Sequence, residues 1–125
     1  MLRYRVIKNM SSKLVNNIST KSGLITGGEL VHSSLVRNSV KDVVIYSGGA
    51  IMPVVDAFYD KNDINYYIPT NEQNGGHIST GYSKTSEKCG VAIVTSGPGL
   101  TNLVTPILDA TNDSTPLIVI SGQVS

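Results

Sequence analysis

A chain of 125 residues, 40% hydrophobic and 15% charged, has the length of one domain at most and the composition of a globular one, not of a disordered one. Its formal net charge of +1 gives no overall field that would draw it to nucleic acid or to a membrane. Its one cysteine, Cys89, rules out an internal disulfide and agrees with a reducing compartment, and no apolar run reaches the roughly 18 residues that span a bilayer.

From Met1 to Gly28 stand five basic residues, Arg3, Arg5, Lys8, Lys13 and Lys21, and no acid. The remaining residues carry five basic and nine acidic side chains, a net of −4. A basic, Ser- and Asn-rich, acid-free N-terminus has the composition of an organelle transit peptide. A solvated leader without an address has the same composition, and both readings stay open. A secretory signal is not expected, because no apolar segment follows the arginines. Residues 1–24 are therefore read as a basic leader and residues 25–125 as the domain.

The elements then follow in order. Thr26-Gly27-Gly28-Glu29 reads as a capping box, which opens a helix carrying Leu30, Val31, Leu35 and Val36 on its apolar side. Asp42 to Tyr46 is a short apolar strand that runs into the turn Ser47-Gly48-Gly49. Ile51, Val54, Val55 and Phe58 recur at helical spacing, with Pro53 tolerated in the first turn. Tyr66 to Ile68 is a second strand stopped by Pro69, and a helix is expected from near Gln73 to about Ser86. Val91 to Thr95 is a third strand, closed by Ser96-Gly97-Pro98-Gly99. Leu103, Val104, Ile107 and Leu108 mark the next helix, and Leu117 to Ile120 the fourth strand, ending at Ser121-Gly122.

Strands that alternate with helices and are continuously apolar predict an α/β fold: a parallel sheet with helices on both faces. Ligands of such sheets bind outside the carboxyl ends of the strands. Those ends are Ser47–Gly49, Thr70–Gln73, Ser96–Gly99 and Ser121–Gln123, all small, polar or glycine-bearing. A four-stranded parallel sheet exposes two edges, which reads either as a truncated domain, or one that leans on a partner, or as a small complete flavodoxin-like unit.

Two segments carry chemistry. Glu72 stands where a strand ends and a helix begins; by position alone it complements the helix dipole. Its company is less ordinary, since Gly75 and Gly76 each cost an early helix turn roughly 1 kcal/mol against alanine. Close approach of another backbone or of a ligand is a reason to keep them. The loop Thr95-Ser96-Gly97-Pro98-Gly99 can offer backbone N–H groups to an anion or a heterocycle. It is not a GxxxxGK[ST] phosphate loop, and no GxGxxG follows any strand. Ser96 and His77 do not make a hydrolase, because the G-x-S-x-G elbow is missing.

Taken together, Tyr46-Ser47-Gly48-Gly49-Ala50, Asn71-Glu72-Gln73 with His77 and Gly81-Tyr82, Thr95 to Asn102, and Gly122-Gln123-Val124 resemble one group. They look like the N-terminal, pyrimidine-binding domain of the acetolactate synthase catalytic subunit, within the thiamine-diphosphate decarboxylases and carboligases. The resemblance implies that Glu72 hydrogen-bonds a ring nitrogen of the cofactor's aminopyrimidine. This favours the imino tautomer, whose exocyclic nitrogen takes the thiazolium C2 proton. It implies that Tyr46, Ser47, Pro98 and Asn102 line the pyrimidine pocket, that Gln73 and His77 lie near the reacting carbons, and that Ser114 approaches a structural FAD. For Tyr46 and Ser114, plain turn or core packing is an equal explanation.

What else it implies concerns the intact enzyme. That enzyme joins two 2-keto acids with loss of carbon dioxide in branched-chain amino-acid biosynthesis, using thiamine diphosphate, Mg2+ and FAD. The family usually has Pro at position 47 and His at position 71, where this chain has Ser47 and Asn71. The Gly-Asp-Gly…Asn segment by which the family holds magnesium and diphosphate does not occur in these residues, and no metal ligand is assigned among them. The expected partner is therefore a second copy or a diphosphate-binding domain. Two alternatives stand: a non-catalytic module that pairs with a full-length enzyme, and a fragment of a related 2-keto acid decarboxylase. A mitochondrial location suits the leader; a cytoplasmic one is the alternative.

Overall fold

The computed structural model describes residues 24–124. The basic leader therefore lies outside the described residues, apart from Leu24.

Four strands form one parallel sheet. In chain order the elements are α1 (Gly27–Arg37), β1 (Asp42–Tyr46), a 3-10 turn leading into α2 (Met52–Asp56), β2 (Asn65–Tyr67), α3 (Glu72–Ser86), β3 (Gly90–Val94), α4 (Pro98–Thr101), α5 (Val104–Asn112) and β4 (Leu117–Ser121). The strand order is β2-β1-β3-β4, so β1 and β3 are central and β2 and β4 are edges. The fold class expected from the apolar runs is the one observed.

Strand alternation deals the side chains to two layers. Val43, Ile45, Val91 and Ile93 point to one face and join Leu35, Ile51, Phe58 and Ile64 in a buried cluster. Ala92 and Val94 point to the other and pack with Leu103, Tyr46, Ile107 and Val119. Helices α1 and α2 cover the first face, and α3 and α5 the second.

Element boundaries shift where backbone groups are claimed by something else. The second strand is Asn65–Tyr67, one residue earlier than the apolar run suggests. Its register is fixed from the β1 side, where the Asp42 carboxylate accepts from Asn65 Nδ2 at 3.1 Å, Tyr67 Oη at 3.3 Å and, from α3, Tyr82 Oη at 3.1 Å. These donors, Asn65 first, hold the Asp42 carboxyl below the usual range against the opposing effect of burial. Ile68 drops out of the ladder and is exposed. The capping box at α1 is present in full: Thr26 Oγ1 accepts from Glu29 N at 3.2 Å, and the Glu29 carboxylate accepts from Thr26 N at 2.7 Å.

The glycines of α3 have a packing reason. A Cβ on Gly76 would lie 2.4 Å from Pro106 Cγ and 2.8 Å from Leu103 Cδ2, so α3 and α5 touch there. The close approach at Gly76 is of the neighbouring side chains of Pro106 and Leu103. Gly90, which opens β3, has the carbonyl oxygen of Ser79 on α3 2.1 Å from its missing Cβ. Ser79 Oγ then donates to Val91 O at 3.1 Å, so α3 lies directly on β3.

His32, on α1, is 3% exposed and meets Phe58 edge-on, with ring centroids 4.9 Å apart. Its Nε2 is buried with no hydrogen-bond partner. Burial, and then the Lys61 ammonium, hold this imidazole below its ordinary pKa, against Asp63, which raises it. The native state therefore keeps His32 neutral while the unfolded chain takes a proton below about pH 6.5. The stability that a neutral His32 allows is complete above that value and is lost as pH falls below it. The urea midpoint is expected to fall between about pH 7 and pH 5, and His32→Leu to flatten that slope. An unchanged slope in the variant would place the acid sensitivity elsewhere.

Candidate functional site

The carboxyl ends of the strands interlock. After β1 comes Gly48, where a Cβ would lie 2.6 Å from Thr95 Cβ. Gly99 likewise leaves room for the Thr95 methyl, 2.8 Å from its missing Cβ. After β4, Ser121 Oγ donates to Thr95 O at 3.1 Å and Gly122 N to Val94 O at 3.1 Å. Thr95 is thus the pivot of three loops. Its importance was missed from the sequence, although two glycines that leave space around one side chain are the signal.

The fourth loop brings Glu72. Asn71 caps α3, its Oδ1 accepting from Asn74 N at 2.8 Å, and Glu72 is the first helical residue. Ser96 to Asn102 wraps from the other side. Gly97 has φ +60°, a conformation that L side chains rarely adopt, and it turns the chain into α4 with Pro98 in the first turn. Asn102, which ends α4, donates from Nδ2 to Glu72 Oε2 at 2.9 Å. The other oxygen, Oε1, lies 3.6 Å from the point that a Cβ on Gly99 would occupy. The two chemistry-bearing segments of the sequence therefore meet at one half-buried carboxylate.

The other predicted residues divide. Tyr46 ends β1 and packs in the layer of α3 and α5. Ser47 turns to the opposite face, at the rim of a groove of about 250 Å³ with Ile45, Met52, Phe58, Tyr66 and Ile68. Pro98 sits in the first turn of α4, beside the Glu72–Asn102 pair in the chain and exposed. Gln73 and His77 lie one helical turn apart on α3, both exposed. Ser114 is not brought near Glu72. It follows α5 at the amino end of the sheet, with φ 53°, where Pro116 O accepts from Gly90 N at 3.3 Å.

A cleft of about 260 Å³ lies along α3 and is lined by Asp42, Tyr67, Ile78 and Tyr82. Neither this cleft nor the Ser47 groove is lined by Glu72. Ile78 of α3, Leu100 of α4, and Val104 and Leu108 of α5 are 40–59% exposed. Among the described residues no group of three or more His, Cys, Asp or Glu side chains is placed to hold a metal ion. No described helix is long and apolar enough to cross a membrane.

Comparison with known proteins gives this geometry its context. The chain is 42% identical to the mitochondrial acetolactate synthase of Schizosaccharomyces pombe, over 98% of this chain and 19% of that protein. It is 50% identical to the mitochondrial acetolactate synthase catalytic subunit of Aspergillus candidus over 79% of this chain and 14% of that one. It is 46% identical to the mitochondrial catalytic subunit of Saccharomyces cerevisiae over 80% of this chain and 15% of that one. The chain thus spans less than a fifth of the length of these relatives. Residues 25–125 match the profile of the thiamine pyrophosphate enzyme N-terminal TPP binding domain, and the chain belongs to that family.

Proposed function

We propose that this domain supplies the pyrimidine half of a thiamine-diphosphate site in an acetolactate synthase-like enzyme, with Glu72 as its proton-exchanging acid. The observation that carries this reading is the Glu72 carboxylate at the carboxyl end of the sheet, with one oxygen on Asn102 and the other beside Gly99. The residues fit the ring. Among the nearby glycines, Gly49 is exposed with open space at its Cβ position, room that a planar heterocycle can use. Bound thiamine diphosphate supplies a carbon nucleophile for 2-keto acids. Glu72 would hold or release a proton at the ring nitrogen, within hydrogen-bond reach, while Tyr46, Ser47, Pro98 and Asn102 bound the ring and Gln73 and His77 border the substrate.

The diphosphate, Mg2+ and FAD would be held outside these residues, with Ser114 toward the flavin. The exposed apolar side chains of α3 to α5, Ile78, Leu100, Val104 and Leu108, support pairing with a diphosphate-binding domain of a second copy or of a longer chain. A non-catalytic pairing module would expose the same side chains. The substrates would be pyruvate and a second 2-keto acid, and the mitochondrial relatives favour that organelle as the location.

Titrating the 13C,15N-labelled 125-residue chain with thiamine diphosphate tests this. Glu72 Cδ, Asn102 and the Gly97 to Gly99 amides are expected to shift, with weak, millimolar-range half-saturation set by half a site. Glu72→Ala is expected to weaken, and not to abolish, the response of the remaining residues. No shift at Glu72 in the unaltered chain would overturn the assignment. Acetolactate formation by the pure chain would overturn the placing of the diphosphate half elsewhere.

A further inference from the structure

We propose that Asn102 is a positioning residue that makes the two oxygens of Glu72 inequivalent, tethering Oε2 so that Oε1 alone exchanges the proton. This rests on the assignment of Glu72 above and goes beyond a lining role for Asn102. The amide nitrogen of asparagine has donors and no acceptor, so Oε2, at 2.9 Å, is committed as an acceptor. No hydrogen bond among the described residues reaches Oε1, which lies 3.6 Å from the Cβ position of Gly99.

A tether matters because the terminal torsion of a glutamate is broad and roughly two-fold, and a free carboxylate samples it. Asn102 is itself fixed, its backbone N–H donating to Pro98 O at 3.0 Å at the end of α4. The pair therefore links the first turn of α3 to the glycine loop across 30 residues of sequence. It sets where Oε1 stands relative to Ser96–Gly99. A proton taken from or given to a ring nitrogen then has one address. Gly99 completes the device: a side chain there would crowd Thr95, at 2.8 Å, and close the space in front of Oε1.

The test uses the labelled 125-residue chain in two stages. Without cofactor, one Asn102 Nδ2 proton is expected downfield of its ordinary position, and Glu72→Ala is expected to return it. A signal indifferent to Glu72→Ala overturns the proposal. Asn102 is exposed, so Asn102→Ala is expected to keep the fold, seen in unchanged amide shifts across β1 and β3.

With thiamine diphosphate added, Asn102→Ala is expected to raise half-saturation by about tenfold, the lower end for a hydrogen bond to a charged group. Asn102→Ser, which keeps a donor, is expected to recover part of it. In the Glu72→Ala background the same change is expected to do nothing further, which separates action through Glu72 from direct contact with the ring. An equal loss in both backgrounds, or none in either, overturns the positioning role and leaves the assignment of Glu72 standing. Failure of the unaltered chain to respond at Glu72 overturns that assignment and the positioning role with it, whatever the first stage shows of the pair.

Discussion

Gly90→Ala is expected to lower the unfolding free energy by about 3 kcal/mol, at the upper end of what overpacking a tight core costs. The reason is backbone against backbone. The added methyl carbon would lie 2.1 Å from Ser79 O and 2.8 Å from Ser79 C. A flexible side chain can turn aside; a carbonyl within a helix moves only if the helix moves. The layer of α3 would have to lift from β3, and Ser79 would give up its bond to Val91 O. At about 4–8 °C per kcal/mol for a domain of this size, the thermal midpoint drops by roughly 12–24 °C. Urea denaturation followed by far-UV circular dichroism measures it. A loss under about 0.5 kcal/mol, within the range of ordinary surface changes, would mean that α3 does not rest on β3 as described.

Ile93→Ala is expected to cost about 2–5 kcal/mol, the span seen when a large aliphatic is emptied from a core. Ile93 is 0% exposed on a strand paired on both sides, in register with Ile45 of β1 and Ile120 of β4. It shares its cluster with Leu35, Ile51 and Phe58, so the cavity would open at the centre of the α1–α2 layer. Collapse there is limited by neighbours on three elements. Ile93→Val, which removes one methylene, is expected to cost about 0.5–1.5 kcal/mol by the same measurement. A ratio near one between the two variants would show that the cavity collapses, and would weaken the picture of a rigid central strand.

The parts of the fold read correctly from the sequence were those whose signal is local. The runs Val43-Val44-Ile45 and Leu117 to Ile120 named strands, and Thr26 with Glu29 named a helix start, because each pattern is complete within a few residues. The start of the second strand was misplaced by one residue because it is decided elsewhere in the chain, by Asp42 reaching across to Asn65 and Tyr67. The short helix α4 was read as loop, since Gly97, Pro98 and Gly99 are turn-forming residues. The same limit applies to the site. Residue types singled out Glu72 and the glycine loop, but nothing local says that Asn102 holds Oε2. Nor does it say that Gly76 serves Pro106. Ser114, assigned toward a flavin by resemblance alone, follows α5 at the other end of the sheet from Glu72.

The link between Glu72 and Asn102 has a consequence for the order of assembly. Each of the two residues belongs to a different β–α unit, and β1 and β3 pair across the β2–α3 crossover between them. Such parallel pairings are non-local: the chain pays loop-closure entropy before the contacts reward it, so they form late and slowly. A chain that has formed its helices and even its β1–β2 edge still lacks the carboxylate geometry, because Asn102 arrives with β3. The geometry of the Glu72 carboxylate therefore depends on the β1–β3 pairing, and thiamine diphosphate would distinguish chains that have made it from chains that have not.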